Sequence, residues 1–202
     1  MFRTFPESFY EPTADVVARE LLGHYLIRKT EEGFCGGAIV ETEAYLHDDP
    51  ACHAFGGRPS MRNRSMFGAP GRAYVYLIYG LHYCFNAVCR PHGHAEAILV
   101  RAIEINYGEN IMRRRRSAKS EIQLTNGPAK LCEALGIDRK LDGVNLCDAN
   151  SPVFIARNSA RKRFMEKKGP LVTTTRIGIT KAAALPLRFY LAASDFISRP
   201  HP

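Results

Sequence analysis

Apolar and polar residues follow two different periods along the chain, and each period predicts a different element. Between Thr13 and Leu22 apolar residues recur every three or four positions, which predicts an amphipathic helix capped by Thr13 and ended by Gly23. Runs rich in β-branched and aromatic residues predict strands instead. These runs are 25–29, 37–45, 73–79, 83–89, 97–105, 153–157 and 187–192.

Two further helices are predicted, over 109–119 and over Pro128–Leu135, where proline suits the first helical turn. Residues 46–71 are polar and irregular and predict a long structured loop, which in a compact domain is often functional. Strands and helices do not alternate strictly. The pattern therefore favours a single α+β domain over residues 1–202, with a largely antiparallel sheet flanked by short helices and with 1–12 and 196–202 peripheral.

The composition narrows the class of protein without defining its function. Lys and Arg outnumber Asp and Glu by 28 to 20, giving a formal net charge of +8. Such a surplus favours a polyanionic partner such as nucleic acid, although a basic enzyme without that partner would have the same charge. No apolar run reaches the roughly 18–20 residues of a membrane span, and the N-terminus lacks the apolar segment of a secretory signal.

The six cysteines do not form the framework of a disulfide-rich or zinc-binding protein. None lies in a Cys-x-x-Cys pair, so they are predicted to be reduced thiols in an intracellular protein. The pairs Cys52–His53 and His92–His94 lack companion ligands at a recognised spacing. The sequence therefore predicts no metal site.

Two carboxylates occupy alternate positions of one predicted strand. Glu41, Glu43 and Tyr45 share a strand face, and the two glutamates lie about 7 Å apart by strand rise. The apolar lead-in before them indicates a partly buried strand, where carboxylates need partners or a function. The pattern fits a general base, or a base with a structural carboxylate. From the strand alone, two solvated acids on an exposed face are the commoner explanation.

Aromatic and basic clusters supply further candidates. Tyr76 could line a pocket and Tyr79, at the predicted hairpin turn, could protrude, although ordinary sheet packing explains a tyrosine-rich strand equally well. The runs 113–116 and 161–168 are candidate phosphate binders, with a solvated face as the alternative. Lys130, in the first turn of the helix that begins at Pro128, suits a phosphate.

Several of these segments occur together in the order and at the spacing of one known family. They are GAIVETEAY at 37–45, His53, RNRSMF at 62–67, PG at 70–71, YVYLIYG at 74–80, Asn86, LVRA at 99–102, GPAKLC at 127–132 and PLRFY at 186–190. Together they closely resemble the alkyladenine (3-methyladenine) DNA glycosylase family, and the likeness runs from about residue 17 to residue 190. The resemblance implies a curved sheet with a protruding β-hairpin that inserts into DNA.

The resemblance also implies the catalytic residues. Glu43 would be the general base that activates water, and Arg101 would help to hold that water and the adjacent backbone. No metal or organic cofactor is implied. No lysine lies between Glu43 and Tyr79, so hydrolysis without strand cleavage is expected.

A pocket for a damaged base follows from the same resemblance. Tyr45 and His53 would stack on one side of a purine that has rotated out of the duplex, and Tyr76 would close the other side. Asn86 would crowd the exocyclic amine of guanine, and Ala51 would line the same pocket.

The remaining implied residues would bind DNA outside the pocket. Tyr79 would fill the gap left in the base stack, and Leu81 and His82 follow it at the hairpin tip. Arg58 and Lys130 would bind phosphates.

The resulting hypothesis is a monomeric, monofunctional glycosylase of base excision repair. It would act on duplex DNA containing 3-methyladenine, 7-methylguanine, hypoxanthine or ethenoadenine, without an obligate protein partner or a membrane. The expected location is the cytoplasm, with the nucleoid in a bacterium, or the nucleus in a eukaryote. Two alternatives stay open, a non-catalytic nucleic-acid-binding module that uses the tyrosines for stacking and a metal-dependent nuclease that uses the glutamates and histidines.

Overall fold

Eight strands and five α-helices make up the part of the chain that the structure, a computed structural model, describes, residues 1–199. The strands are β1 (Tyr25–Thr30), β2 (Gly33–Tyr45), β3 (Ala73–Ile78), β4 (His82–Cys89), β5 (Glu96–Tyr107), β6 (Val153–Ala156), β7 (Leu171–Thr174) and β8 (Arg188–Leu191). The α-helices are α1 (Ala14–Leu21), α2 (Glu109–Arg115), α3 (Ile122–Thr125), α4 (Pro128–Leu135) and α5 (Arg161–Lys167). Within the described range, no helix has the length and apolar content needed to cross a bilayer.

All eight strands belong to one curved antiparallel sheet in the order β3-β4-β5-β2-β1-β6, with β8 joining β2 to β7. β2 has 13 residues and organises the sheet. One edge of it pairs with β5, while the other edge pairs first with β1 and then, over Glu41–Glu43, with β8. The two glutamates therefore lie inside the sheet rather than at its margin, and the predicted α+β class with a largely antiparallel sheet is confirmed.

β2 begins earlier than predicted because Gly33–Gly36 pair with β1, and Gly36 and Gly37 lie where neighbouring backbones approach closely. A Cβ atom on Gly36 would lie 2.1 Å from the Leu26 carbonyl oxygen, and one on Gly37 would lie 1.9 Å from the Glu104 carbonyl oxygen. Further along, the pairing with β5 shifts register between Ile39 and Glu41. Such bulges bend a strand and re-aim its side chains. Here the bulge comes immediately before the residues that sequence analysis singled out.

Buried hydrophobic residues form three clusters, a small one around Ile27 and Phe154 and two larger ones that cover the sheet near the site. The largest cluster packs α1 and α4 against one face and includes Leu21, Val40 and Leu131. The second cluster, with Tyr74 and Tyr76 from β3, lies on β3–β5 beneath residues 52–67 of the long loop. The predicted irregular loop is confirmed, with one short 3-10 helix at Arg64–Phe67, and it forms a wall over this part of the sheet.

Three local predictions were wrong. Thr13 occupies the N-cap of α1, but its side chain makes no capping hydrogen bond. The basic helix α2 ends at Arg115 instead of 119. The four-residue helix α3 was missed, as were α5, which buries no residue, and β7, a four-residue strand with three of its residues exposed or half-buried. Elements that bury so little apolar surface leave no clear periodicity in the sequence.

Candidate active site

The alternation predicted for the end of β2 is present and separates its side chains by function. Thr42 faces the large core, where its hydroxyl donates to the Ala18 carbonyl at 3.0 Å. Glu41, Glu43 and Tyr45 are linked on the opposite side of the strand. Both glutamate side chains are 0% exposed, so the explanation as two solvated acids is wrong.

Arg101 of β5 joins the two buried carboxylates. Its Nε donates to Glu41 Oε1 at 3.1 Å, and its Nη1 lies 3.1 Å from Glu43 Oε1. Desolvation disfavours the charged form of Arg101, but the negative charges of Glu43 and Glu41 outweigh it and raise the pKa of Arg101. The guanidinium is therefore always charged. A charge of this kind in a dry site can hold an anionic or polar group in a fixed orientation.

Glu41 has the geometry of a structural carboxylate. Besides Arg101, it accepts a hydrogen bond from Arg188 Nε at 2.7 Å. The backbone N–H and hydroxyl of Ser198 donate to it at 2.6 and 2.8 Å. Oε1 of Glu41 thus accepts from three donors and Oε2 from one, and the carboxylate joins two arginines to Ser198 near the end of the described residues.

Glu43 is less fully occupied. Its Oε1 accepts from Arg101 and from the backbone N–H of Ile177 at 2.8 Å, while its Oε2 accepts from the Tyr45 hydroxyl at 2.9 Å. A carboxylate offers about four acceptor positions, so within residues 1–199 one position on Oε2 has no protein donor and can accept from water.

A cavity of about 370 Å³ lies next to Glu43. Tyr45, Arg101 and Ile177 form the part of its wall that separates it from Glu43. Glu43 does not itself line it. Eight of the residues predicted for the site do line it: Tyr45, Ala51, His53, Tyr76, Tyr79, His82, Asn86 and Arg101. The wall is mainly aromatic and apolar, as expected for a pocket that receives a flat heterocycle.

The aromatic wall is held in place by contacts among its own side chains. His53 Nδ1 lies 2.9 Å from the Tyr74 hydroxyl, and its ring meets the Tyr76 ring edge-on at 4.6 Å. Although His53 keeps part of its surface exposed, desolvation and the charge of Arg62 lower its pKa to about 4. Its ring is therefore neutral near pH 7 and can stack on a cationic base without repelling it.

Burial also raises the pKa of Tyr45, Tyr74 and Tyr76 above the usual value for tyrosine. The three hydroxyls are therefore protonated, and their rings present electron-rich faces to the cavity. Asn86 is held as well, since its Nδ2 donates to the Tyr74 carbonyl at 3.0 Å. Its amide is thus fixed where it narrows the cavity.

The β3–β4 hairpin projects beside the cavity. Its tip comprises Tyr79, Gly80 and Leu81, and the side chains of Tyr79 and Leu81 are 85% and 73% exposed. Tyr79 has a φ of 54°, in the left-handed region that is uncommon for a bulky residue. His82 begins β4 and is exposed next to them. The tip thus exposes most of the side chains of Tyr79 and Leu81 to solvent, and Tyr79 also lines the cavity.

The two predicted phosphate-binding residues lie outside the cavity. Arg58 is exposed on the long loop, where its carbonyl accepts from Asn63 Nδ2. Lys130 donates to Asn126 Oδ1 at 2.8 Å in the first turn of α4. Since Pro128 and Ala129 line the cavity, Lys130 lies at its margin.

Within residues 1–199 no group of three or more His, Cys, Asp or Glu side chains is arranged to hold a metal ion. The two glutamates that a metal-dependent nuclease would use instead face arginines, with Arg101 between them.

Comparison with known proteins gives one consistent result. The sequence model of the methylpurine-DNA glycosylase (MPG) family matches residues 8–195. The chain belongs to the methylpurine-DNA glycosylase family. The resemblance stated from the sequence is confirmed, and with it the prediction of an enzyme of the DNA glycosylase class.

Individual relatives match over nearly their whole length. A protein of Methanoculleus marisnigri is 47% identical over 196 residues, which cover 97% of this chain and 99% of the relative. Proteins of Carboxydothermus hydrogenoformans (44% identical, covering 96% and 98%) and Nitrosospira multiformis (47%, covering 91% and 88%) are similar in the same way. All three bear the name "Putative 3-methyladenine DNA glycosylase".

Sequence reasoning missed the part of the glycosylase site that comes from the segment 175–186. Ile177, Gly178 and Ile179 line the cavity, and Ile177 contacts Glu43 through its backbone. A backbone donor leaves no signature in the side-chain pattern. Tyr74 and Cys84 were also missed as lining residues, although Tyr74 follows from Tyr76 by the period of a strand.

Proposed function

We propose that this glycosylase excises alkylated and deaminated purines from duplex DNA and that Glu43 activates the attacking water. The observation that carries the proposal is that Glu43 Oε2 accepts from Tyr45 alone among residues 1–199, and that Tyr45, Arg101 and Ile177, which contact Glu43, all line the aromatic cavity. The substrate class comprises 3-methyladenine, 7-methylguanine, hypoxanthine and ethenoadenine.

The reaction proposed is a hydrolysis in which every atom is accounted for. The water oxygen bonds to C1′ of the deoxyribose, the N-glycosidic bond breaks, and its electron pair leaves with the purine nitrogen. Glu43 accepts a proton from the water, and its negative charge stabilises the oxocarbenium-like transition state. Arg101, whose Nη1 lies 3.1 Å from Glu43 Oε1, holds the carboxylate in place. Strand cleavage is not part of the reaction.

The chemistry of the cavity favours cationic bases. An alkylated purine carries a positive charge that is attracted to tyrosine faces, and it leaves as a neutral molecule without needing a proton. We therefore expect 3-methyladenine and 7-methylguanine to be excised faster than hypoxanthine. Extrusion itself adds selectivity, since a damaged or mispaired base costs less to unstack.

The test is a single-turnover excision assay on duplex oligonucleotides that each carry one of the four bases. Glu43→Gln should lower the rate by about 10²–10⁴-fold, because it removes the general base, and should keep affinity for DNA with an abasic-site analogue. Glu109→Gln, an exposed change in α2, is the matched control. A Glu43→Gln variant that excises at the wild-type rate would show that the water is activated elsewhere.

The exposed hairpin tip is proposed to enter the gap left by the extruded nucleotide. Tyr79→Ala should weaken binding to duplex DNA about tenfold, since stacking of an aromatic ring contributes about 1–3 kcal/mol per base. Phe34→Ala is the control. It removes an exposed aromatic ring at the start of β2, the end of that strand far from Tyr45. Equal affinities for the two variants would argue against insertion.

A further inference from the structure

A second buried ion pair lies next to Tyr45, on residues to which sequence analysis assigned no role. Asp49, in the loop after β2, and Arg176, in the segment 175–186, both have side chains that are 0% exposed. Arg176 Nη2 donates to Asp49 Oδ1 at 3.1 Å, and Nη1 contacts Oδ2, so the pair is bidentate. Neither residue lines the cavity.

Stability alone is a weak reason for such a pair. Desolvating two ions often costs as much as their attraction returns, and apolar residues of similar volume frequently serve as well. A bidentate arginine does, however, define the orientation of whatever it binds. The surroundings of Arg176 show which groups are oriented here.

Arg176 bridges two parts of the chain that form the cavity wall. Its Nη1 donates at 3.0 Å to the carbonyl of Ala44, the residue between Glu43 and Tyr45. Its Nη2 also contacts the Ala182 carbonyl at 3.4 Å, within the segment 175–186. The guanidinium thus joins the strand that carries the proposed base to a segment that has no helix or strand of its own.

The same pair fixes three groups at the cavity. The guanidinium carbon lies 4.7 Å from the centre of the Tyr45 ring. The next residue, Ile177, donates its N–H to Glu43 Oε1 at 2.8 Å. Asp49 Oδ1 accepts the N–H of Ala51, which lines the cavity, at 2.9 Å. Displacement of the pair would therefore move three groups together: the Ile177 N–H that donates to Glu43, the Tyr45 ring, and the loop wall at Ala51.

We infer that Asp49 and Arg176 form a positioning pair that sets the orientation of Glu43 and Tyr45 for excision. This inference rests on the function proposed above. Arg176 and Asp49 act through neighbouring groups without touching the damaged base, so their loss should slow the chemical step more than it weakens DNA binding.

The experiment measures two quantities for each variant, the single-turnover rate with 7-methylguanine duplex and the Kd for duplex with an abasic-site analogue. Arg176→Lys and Asp49→Asn should each lower the rate about 10–100-fold with a Kd within about threefold of wild type, because a misplaced catalytic group costs on that order. Glu104→Gln breaks a largely buried pair with Lys168 away from the cavity, and it should leave the excision rate of the folded protein unchanged.

If the single variants do not fold, the paired change Asp49→Leu with Arg176→Met removes both charges at similar volume, and its rate should fall in the same way. Wild-type rates in any folded variant would overturn the inference, as would a Kd that rises by the same factor as the rate falls. A wild-type protein that excises none of the four bases would instead contradict the proposed function.

Discussion

Two groups of arginines in this protein differ in almost every physical respect. The run Arg113–Arg116 is the most conspicuous basic segment of the sequence, and it lies on and just beyond α2. Three of its members pair with partly exposed glutamates at the surface, among them Arg113 with Glu109 at 2.7 Å. Arg101, Arg176 and Arg188 are scattered along the chain, yet all three are buried against carboxylates around the cavity.

The difference teaches that local density of charge does not locate a site, whereas burial of charge does. Exposed ion pairs are worth about 0–1 kcal/mol, so a surface run can change with little consequence. A buried arginine must be paired, which restricts both partners to one arrangement. Arg101 lines the cavity, Arg176 contacts Tyr45 in its wall, and Arg188 shares Glu41 with Arg101, so all three restrict the orientation of groups near the site.

The largest effect is expected from a change at Glu41, the carboxylate that two of the buried arginines share. Glu41→Gln leaves Arg101 and Arg188 buried with one counter-charge fewer, and it should lower the free energy of unfolding by about 3–5 kcal/mol. Excision should fall too, since Arg101 loses the partner that directs it towards Glu43. Urea unfolding and single-turnover assays measure the two effects. Glu109→Gln should cost under about 1 kcal/mol, and equal losses for both variants would break the comparison.

A smaller effect is expected at His24, beside the second basic run, 161–168, in which Arg161 contacts the end of α1. Arg161 Nε donates to the Leu22 carbonyl at 2.8 Å, and His24 Nδ1 accepts the N–H of Asn158 at 3.0 Å. Desolvation and then the charges of Arg161 and Arg157 lower the pKa of His24 to about 4. The unfolded chain, with a pKa near 6.5, therefore takes up the proton first.

The stability contributed by neutral His24 is thus present above about pH 6.5 and is lost as the pH falls towards 4. Between pH 7 and pH 5 the loss should be roughly 2 kcal/mol. Urea unfolding at both pH values checks this, with His24→Asn as the variant that keeps an acceptor and cannot titrate. An unchanged pH dependence in that variant would assign the acid sensitivity to other groups.

The smallest expected effect is on the salt dependence of DNA binding, and it compares Lys130, at the margin of the cavity, with Arg113 of α2. Lys130→Gln should reduce the slope of log K against log salt for duplex binding by about 0.9, as loss of one phosphate contact does. Arg113→Gln should not change the slope. Its guanidinium is already paired with Glu109, since Nε lies 2.7 Å from Oε1 of that carboxylate. A lower slope for Arg113→Gln would extend the DNA-binding surface to α2.

The sequence predicted much of this fold because its central strands have strong periodicity. The helix over 14–21, the hairpin around Gly80 and the start of α4 at Pro128 lie where local patterns indicated. The paired positions Glu41, Glu43 and Tyr45 were correctly assigned to one face, since side chains on a strand alternate whatever the strand packs against. Weakly buried elements such as α5 and β7 lack that signal.

By itself, then, the sequence determined the class of the fold, the family and the residues that strand period and motif spacing make visible, Glu43 and the tyrosines among them. Only the tertiary structure decided which charges are buried, and with which partners. Arg176 is 127 residues from Asp49 and Arg188 is 147 from Glu41. Contacts over such separations depend on how the sheet curves and on backbone donors such as Ile177 N–H, and neither leaves a pattern among neighbouring residues.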